Sequence, residues 1–476
     1  MGLIKKIARN TGILFISNII SKFFGFLYTI YMARYLGAEG FGIISFALAF
    51  TGMFAILADM GLQPLTIREI ARNPELTEKY LGNVAVIKLI LGIITFVLIV
   101  ITINLMNYSE ETVHVVYLIA FYVLINSFNN MFYSIYQGHE KMEFVGIGNI
   151  LNSSLMLLGT IIGIYLKLNV KGFAIIYLVV SIILLLYNII ISKLKFIRQK
   201  INIDVNFWKN LLKESFPFAL SGIFVAIYFW ADSIMLSYMV GNRAVGIYNA
   251  AYRLVYVLLF IPAIYFTTIY PILSKMYLKS KDTLNIIYNK SLKYFAIIGL
   301  FIGLTTVFLA KEIILLIYGS EYIESSDVLK ILIWAIFFSF LAHATLYTLN
   351  SINRQIIYTK ITGVCAILNI ILNIFAIEKL SYIGASLTTV FTEMLGFLGM
   401  FLYLKYYLNE DFKSYNWAVK LLILGVLSAT IYYLSLIFIE NIIVSTIISI
   451  FLYLVGIFIF KIIDDFDIEI IYKLKR

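Results

Sequence analysis

The sequence predicts an all-α, polytopic membrane protein with about fourteen transmembrane helices. Three observations carry this. Of the 476 residues, 62% are hydrophobic and 13% charged, against about 25% charged in an ordinary soluble domain. A soluble core of this length has no room for so much apolar surface. The apolar residues form runs of helical length, roughly 20 residues or more, and not the ~10-residue alternation of an outer-membrane barrel. Finally, 27 of the 37 Lys and Arg residues fall on one side when the runs are threaded back and forth.

The spans run, in order, over 11–35, 40–64, 81–106, 113–136, 143–166, 172–192, 214–240, 244–270, 288–310, 328–350, 356–378, 382–408, 416–438 and 442–462. The cation-rich side holds the N-terminus, Arg68/Arg72/Lys79, Lys141, the 193–213 connection, Lys275–Lys293, Arg354/Lys360, Lys405/Lys413/Lys420 and Lys461–Arg476. The positive-inside rule makes that side cytoplasmic, with both termini there, in a multi-pass protein of the cell membrane. The net charge of +11 is thereby a topology signal, not a nucleic-acid footprint. No cleavable signal peptide is expected, because Lys5, Lys6 and Arg9 run straight into a long span. The one cysteine, Cys365, lies within a span and reads as a small packing residue.

The basic stretch 193–213 is the longest connection and the natural linker between two halves. LGAEGFGIISFA (36–47) matches VGNRAVGIYNAA (240–251) at an offset of 204, placing Gly37 on Gly241 and Gly42 on Gly246. Later matches in the same order make an internal duplication. Six spans per repeat is an even number, so both halves enter the membrane in one direction, as parallel repeats about an axis along the membrane normal. The expected organisation is an N-terminal lobe over 1–200, a C-terminal lobe over 201–410, and spans 13–14 with a cytoplasmic tail over 411–476.

The hairpin 214–263 carries the clearest motif. Asp232 precedes the turn Gly241-Asn242-Arg243-Ala244 by about ten residues, and Arg253 follows it by as many. Both should lie roughly 15 Å below the turn, near the midplane, either as a structural ion pair or as a cargo site. The pattern Asp232, Gly241, Val245-Gly246-Ile247-Tyr248, Ala251-Tyr252-Arg253, with Asp59-Met60-Gly61-Leu62 and Arg68-Glu69-Ile70 in the first half, resembles the polysaccharide-transport branch of the multidrug/oligosaccharidyl-lipid/polysaccharide flippase superfamily. The resemblance covers spans 1–12 in order and spans 13–14 more loosely. It implies a flippase moving a polyprenyl-(pyro)phosphate-linked oligosaccharide from the cytoplasmic to the outer leaflet by alternating access, for cell-surface polysaccharide or glycoprotein glycans. It also implies glycosyltransferase or polymerase partners. Two relatives compete. Lipid II flippases carry S-R-x-x-G-x-x-R-D where this chain has Ser21-Lys22-Phe23-Phe24-Gly25-Phe26-Leu27-Tyr28-Thr29, which keeps one cation and loses the Arg-Asp pair. Cation-coupled multidrug and toxin antiporters usually have twelve spans.

A phosphate-bearing glycolipid head crosses hydrocarbon only along a wet, cationic path. Lys22, Arg253, Asp232 and Lys88 are the candidate substrate-binding residues; snorkelling to the interface is the alternative for Lys88. Glu393 and His343 are candidates for coupling to a proton or sodium gradient, with Thr389 or Thr392 as ordinary hydrogen-bond partners of Glu393. Asp59 and Arg68 read together as an interfacial gate. The asparagines of spans 4, 5 and 11, Asn129 and Asn369 among them, read as interhelical hydrogen-bonders. Nothing signals an enzyme. There is no Gly-Lys-Ser/Thr phosphate loop, no His/Cys spacing for a metal, and no cofactor motif. A membrane-embedded polysaccharide ligase, the rival outside transport, would place acids and bases in a large outer loop. The longest such loop, 311–327, has none so arranged.

Overall fold

The computed structural model describes residues 3–196, 203–408, 415–464 and 467. Arg198, Lys200, Lys413, Lys473, Lys475 and Arg476 of the cytoplasmic cation set lie outside the described residues. Within them the secondary structure is helical throughout, without a strand. Twelve continuous helical stretches are long and apolar enough to cross a membrane. Two of these are double. Leu3–Asp59 breaks at Gly37 (φ 69°) and Gln355–Leu408 breaks at Ser381 (φ 52°). Fourteen spans result, as the apolar runs predict.

The chain forms two compact units, 1–249 and 250–476. The first contains α1 (Leu3–Asp59), α2 (Leu62–Arg72), α3 (Thr77–Leu105), α4 (Glu110–Gly138), α5 (Met142–Tyr165), α6 (Val170–Lys195), α7 (Val205–Met239) and the start of α8 (Asn242–Tyr256). α1 packs against α3, α4, α5 and α7. Span 2 was expected to reach residue 64, but the helix stops at Asp59, because Met60 (φ 46°) and Gly61 (φ 74°) turn the chain into the separate helix α2. The apolar face of α2, with Leu62, Leu65 and Ile70 buried, closes on Tyr80, Tyr136 and Leu211 from α3, α4 and α7. A Cβ on Gly61 would sit 2.7 Å from the Ala219 backbone nitrogen, so the turn is where α7 passes closest.

The connection before α7 is pinned as well. Asn83 Oδ1 accepts from the Asp204 backbone and from Trp208 Nε1, both at 2.8 Å. Lys79 pairs with Asp204 and lies over the Phe207 ring. Positions that the 204-residue offset aligns meet in the packing. A Cβ on Gly42 would overlap the carbonyl oxygen of Asn242, and one on Gly246 would overlap that of Ala38. Residues 38 and 242, like 42 and 246, stand 204 apart, so the two contacts mirror each other in sequence. Gly37 and Gly241, at the same offset, both have positive φ, which glycine adopts without steric cost.

The second unit contains the rest of α8, α9 (Phe260–Lys279), α10 (Lys281–Ile317), α11 (Ser325–Ser351), α12 (Gln355–Leu408), α13 (Asn416–Ile439) and α14 (Ile442–Ile459). α13 and α14 pack on each other and on α10. The seam is made by specific contacts. Tyr432 stacks on Phe308 with ring centroids 3.9 Å apart and donates to its carbonyl, while Tyr453 donates to the Ile297 carbonyl at 2.8 Å. Their other faces stay apolar and exposed, Leu422, Val426, Phe438, Phe451 and Phe458 included, as lipid-facing helices require. Beyond α14 the chain returns to α10, where Asp464 and Asp467 both pair with Lys290 and Lys293.

Two outcomes are expected. Gly42→Ala and Gly246→Ala should each destabilise by about 1–3 kcal/mol, because the obstructing atoms are backbone. Gly363→Ala, with open space around it, should leave the melting temperature in detergent unchanged. The second concerns pH. Burial pushes the Asp464 and Asp467 carboxyls up, but the lysine hydrogen bonds outweigh it and hold both below the usual carboxylate range. A depressed carboxyl contributes stability above its unfolded pKa, about 4, and loses it as pH falls through the folded value. Amide exchange at 461–464, corrected for intrinsic rates, should stay slow from pH 8 to 5 and rise only below about pH 4.

Candidate functional site

The first unit holds a buried ion pair. Lys88 is fully buried, and its Nζ lies 2.5 Å from Asp59 Oδ1 and 3.1 Å from the Ser127 carbonyl. Asp59 Oδ2 takes the Gln63 amide at 3.3 Å. The ammonium therefore does not snorkel. It reaches across from α3 to the last residue of α1 and to α4, tying three helices together. Arg68, expected beside Asp59 as a gate, sits instead on α2 and bonds Glu69 and Glu214 at 2.6 Å each. The turn at Met60–Gly61 separates the two. Arg68 thus links α2 to α7, while Asp59 faces inward.

Alongside runs a polar seam between α4 and α6. Asn188 Nδ2 donates to Asn129 Oδ1 at 2.9 Å, Asn129 to the Ser181 carbonyl, and Tyr136 to the Asn188 carbonyl. This is the interhelical role expected of Asn129. Asn188 was not anticipated, although it lies seven residues, two helical turns, from Ser181.

Asp232 is buried in α7 and accepts the Tyr248 hydroxyl at 2.8 Å. Tyr248 belongs to the Val245-Gly246-Ile247-Tyr248 motif, so that motif serves both the helix crossing and the carboxylate. At the adjoining positions Asn249 donates to Ser233, and further towards the turn Ser237 donates to Asn242, which donates to Thr112. Arg253 lies in the last turn of α8, half-buried, between Tyr252 and Tyr256, whose rings stack at 4.0 Å. Lys22 is exposed, on the arc of α1 that also presents Phe15, Ile19 and Phe23, opposite the buried Ser17.

In the second unit Ser339 joins the two residues expected to couple an ion. Its Oγ donates to Glu393 Oε2 at 2.6 Å, and its carbonyl lies 2.7 Å from His343 Nδ1. Spans 10 and 12 meet there. Asn369 on span 11 reaches the Thr392 hydroxyl at 3.5 Å and accepts from Asn373. Thr389 and Thr392 donate to carbonyls of their own helix. The serine carried no signal in the sequence, since Ser in a span more often bonds the preceding turn. Among the described residues no group of His, Cys, Asp or Glu is arranged to hold a metal.

By its architecture this is a multi-span α-helical membrane protein with buried charges. The chain belongs to the family described as polysaccharide biosynthesis protein, whose profile matches residues 7–277; the MatE profile matches 217–375. The resemblance drawn from the hairpin motif holds. It is 25% identical over 409 residues to the capsular polysaccharide biosynthesis protein CapF of Staphylococcus aureus, covering 83% of this chain and 99% of that one. It is 24% identical to the probable low-salt glycan biosynthesis flippase Agl15 of Haloferax volcanii, covering 80% of each chain. The fold is shared with lipid II flippase MurJ in an inward closed conformation (TM-score 0.74, 17% identity, 94% of this chain and 98% of that one). A multidrug resistance MATE family transporter in an inward-facing conformation follows (TM-score 0.67, 19% identity, 82% and 94%).

Removing one partner of the buried pair should be costly. Lys88→Met strands Asp59 and is expected to lose about 3–5 kcal/mol, whereas Lys88→Met with Asp59→Leu should recover most of it. Thermal unfolding of the two purified variants checks this; equal losses in both would mean the pair itself is strongly stabilising.

Proposed function

We propose that this protein is a flippase that carries a polyprenyl-(pyro)phosphate-linked oligosaccharide from the cytoplasmic to the outer leaflet of the cell membrane. The observation that carries the reading is membership of the polysaccharide biosynthesis family, with relatives named for capsule and glycan flipping matched over most of their length. The two six-span repeats, 1–200 and 201–410, work as lobes in alternating access, with 411–476 appended and both termini cytoplasmic. Lys22 and Arg253 supply cationic contacts to the lipid phosphate. An exposed lysine within an apolar helix is costly in lipid and useful in a wet path. Asp232, already held by Tyr248, balances positive charge when cargo has left. Lys88, sharing Asp59, orders the inner end of the path and takes part in binding only when that pair opens. Arg68 gates by its bonds to α7.

Coupling to a proton or sodium gradient falls to Glu393 and His343. Ser339 links them without an intervening charge, so a proton gained at one is felt at the other. Glycosyltransferases that build the cargo and polymerases that consume it are the implied partners. A second reading, cation-coupled drug export, is favoured by the MatE match over 217–375.

Reconstitution separates the two. Proteoliposomes should flip a polyprenyl-diphosphate-linked oligosaccharide, and Arg253→Gln and Lys22→Gln should each slow flipping by at least tenfold while leaving the melting temperature within about 2 °C, the span of a small surface change. The exchange Asp232→Arg with Arg253→Asp should fold and stay inactive; normal flipping by it would make the two residues structural. Export of cationic dyes without lipid flipping would favour the second reading.

A further inference from the structure

Away from every residue given a transport role, α10 carries two lysines and a tyrosine on one face. Lys290, Lys293 and Tyr294 are spaced i, i+3 and i+4, so their side chains converge. Lys293 is 3% exposed. Two like charges this close and this buried repel each other, and they are stable only around an anion. Here that anion is the chain itself. Lys290 Nζ lies 2.8 and 2.7 Å from the two oxygens of Asp464 and 2.6 Å from Asp467. Lys293 bonds Asp464 at 3.0 Å and also bonds Asp467, and Tyr294 donates to Asp467 at 2.6 Å. The two carboxylates hold their positions through each other's backbone amides, at 2.9 and 3.0 Å.

We propose that Lys290, Lys293 and Tyr294 form a binding site for a phosphate dianion, which Asp464 and Asp467 occupy in this structure. The charges match. Two ammonium groups face two carboxylates, and a phosphate monoester carries about −1.5 to −2 at pH 7 with three acceptor oxygens. The donor set matches also: two ammonium groups and a phenol aim at oxygens from one side, and one phosphate group can replace the pair of carboxylates. Exchange is feasible because a buried ion pair returns little net free energy after desolvation. The resident ligand is tethered, at an effective concentration in the millimolar range for a short connection. An incoming phosphate therefore competes well only when tethering is weakened or local phosphate is dense, as on a membrane rich in monoester headgroups. Asp464 is the natural point of release, its side chain being 50% exposed where that of Asp467 is 2%.

The test uses the full-length protein in neutral detergent, with melting temperature followed against three probes: inorganic phosphate, phosphatidic acid in mixed micelles, and phosphatidylcholine as the control lipid. Asp464→Asn should be half-stabilised by a phosphate probe at a concentration at least about tenfold below that needed for the wild type, because it weakens every charge-assisted contact that Asp464 makes to Lys290 and Lys293. Lys290→Gln with Lys293→Gln should lose the response, and Tyr294→Phe should weaken it severalfold. Response to phosphatidic acid alone assigns the site to a lipid headgroup; an equal response to inorganic phosphate assigns it to soluble phosphate. Should the double lysine variant fail to fold, Tyr294→Phe in the Asp464→Asn background carries the comparison. The proposal is overturned if Asp464→Asn responds no more than the wild type. It is likewise overturned if the lysine or tyrosine variants respond as strongly as Asp464→Asn, or if phosphatidylcholine stabilises as well as phosphatidic acid.

Discussion

Hydrocarbon offers no hydrogen-bond partner, and this one constraint decides how polar groups are placed along the whole chain. Lys88 is the clearest case. A buried ammonium in a span is tolerable only because Asp59 and the Ser127 carbonyl surround it. The same demand explains why Tyr136, Tyr432 and Tyr453 all donate to carbonyls on neighbouring helices. Each buries a large apolar ring and sends its one polar atom to an acceptor that a helix can spare. Polar seams of this kind hold helices in register where hydrophobic attraction between them is absent, since lipid is as apolar as leucine.

Close backbone approach is the second device. Gly42 and Gly246 let α1 and α8 cross with backbone against backbone, and the residues they meet are Asn242 and Ala38. An alanine at either position would force the helices apart. Tight turns follow the same logic. Gly37 and Gly241 turn the chain with positive φ, while Ser381 makes a comparable break in α12 without being glycine.

These features bear on transport. Charges that stay paired inside one compact unit, such as Lys88 with Asp59, make that unit stiff. Glu393, Ser339 and His343 form a hydrogen-bonded link between spans 10 and 12. Lys22 lies at the other extreme, exposed on an apolar arc of α1.

Length, composition and the placement of Lys and Arg by themselves determined the all-helical class and the fourteen spans, because apolar runs of about 20 residues have one stable answer in a bilayer; the family came from the resemblance carried by the hairpin motif. The matching stretches 204 residues apart were readable too, and their glycines are ones that tight turns and a close crossing use. Partnership was not. Asp59 and Arg68 stand nine residues apart and read as one gate, yet the turn at Met60 and Gly61 divides them, and they bond Lys88 and Glu214. Ser339, Asn188 and Tyr248 have no distinction as residue types, and they became partners of Glu393, Asn129 and Asp232 only through helix rotation and crossing. Periodicity tells which residues share a helix face, while tertiary packing alone decides which face of another helix they meet.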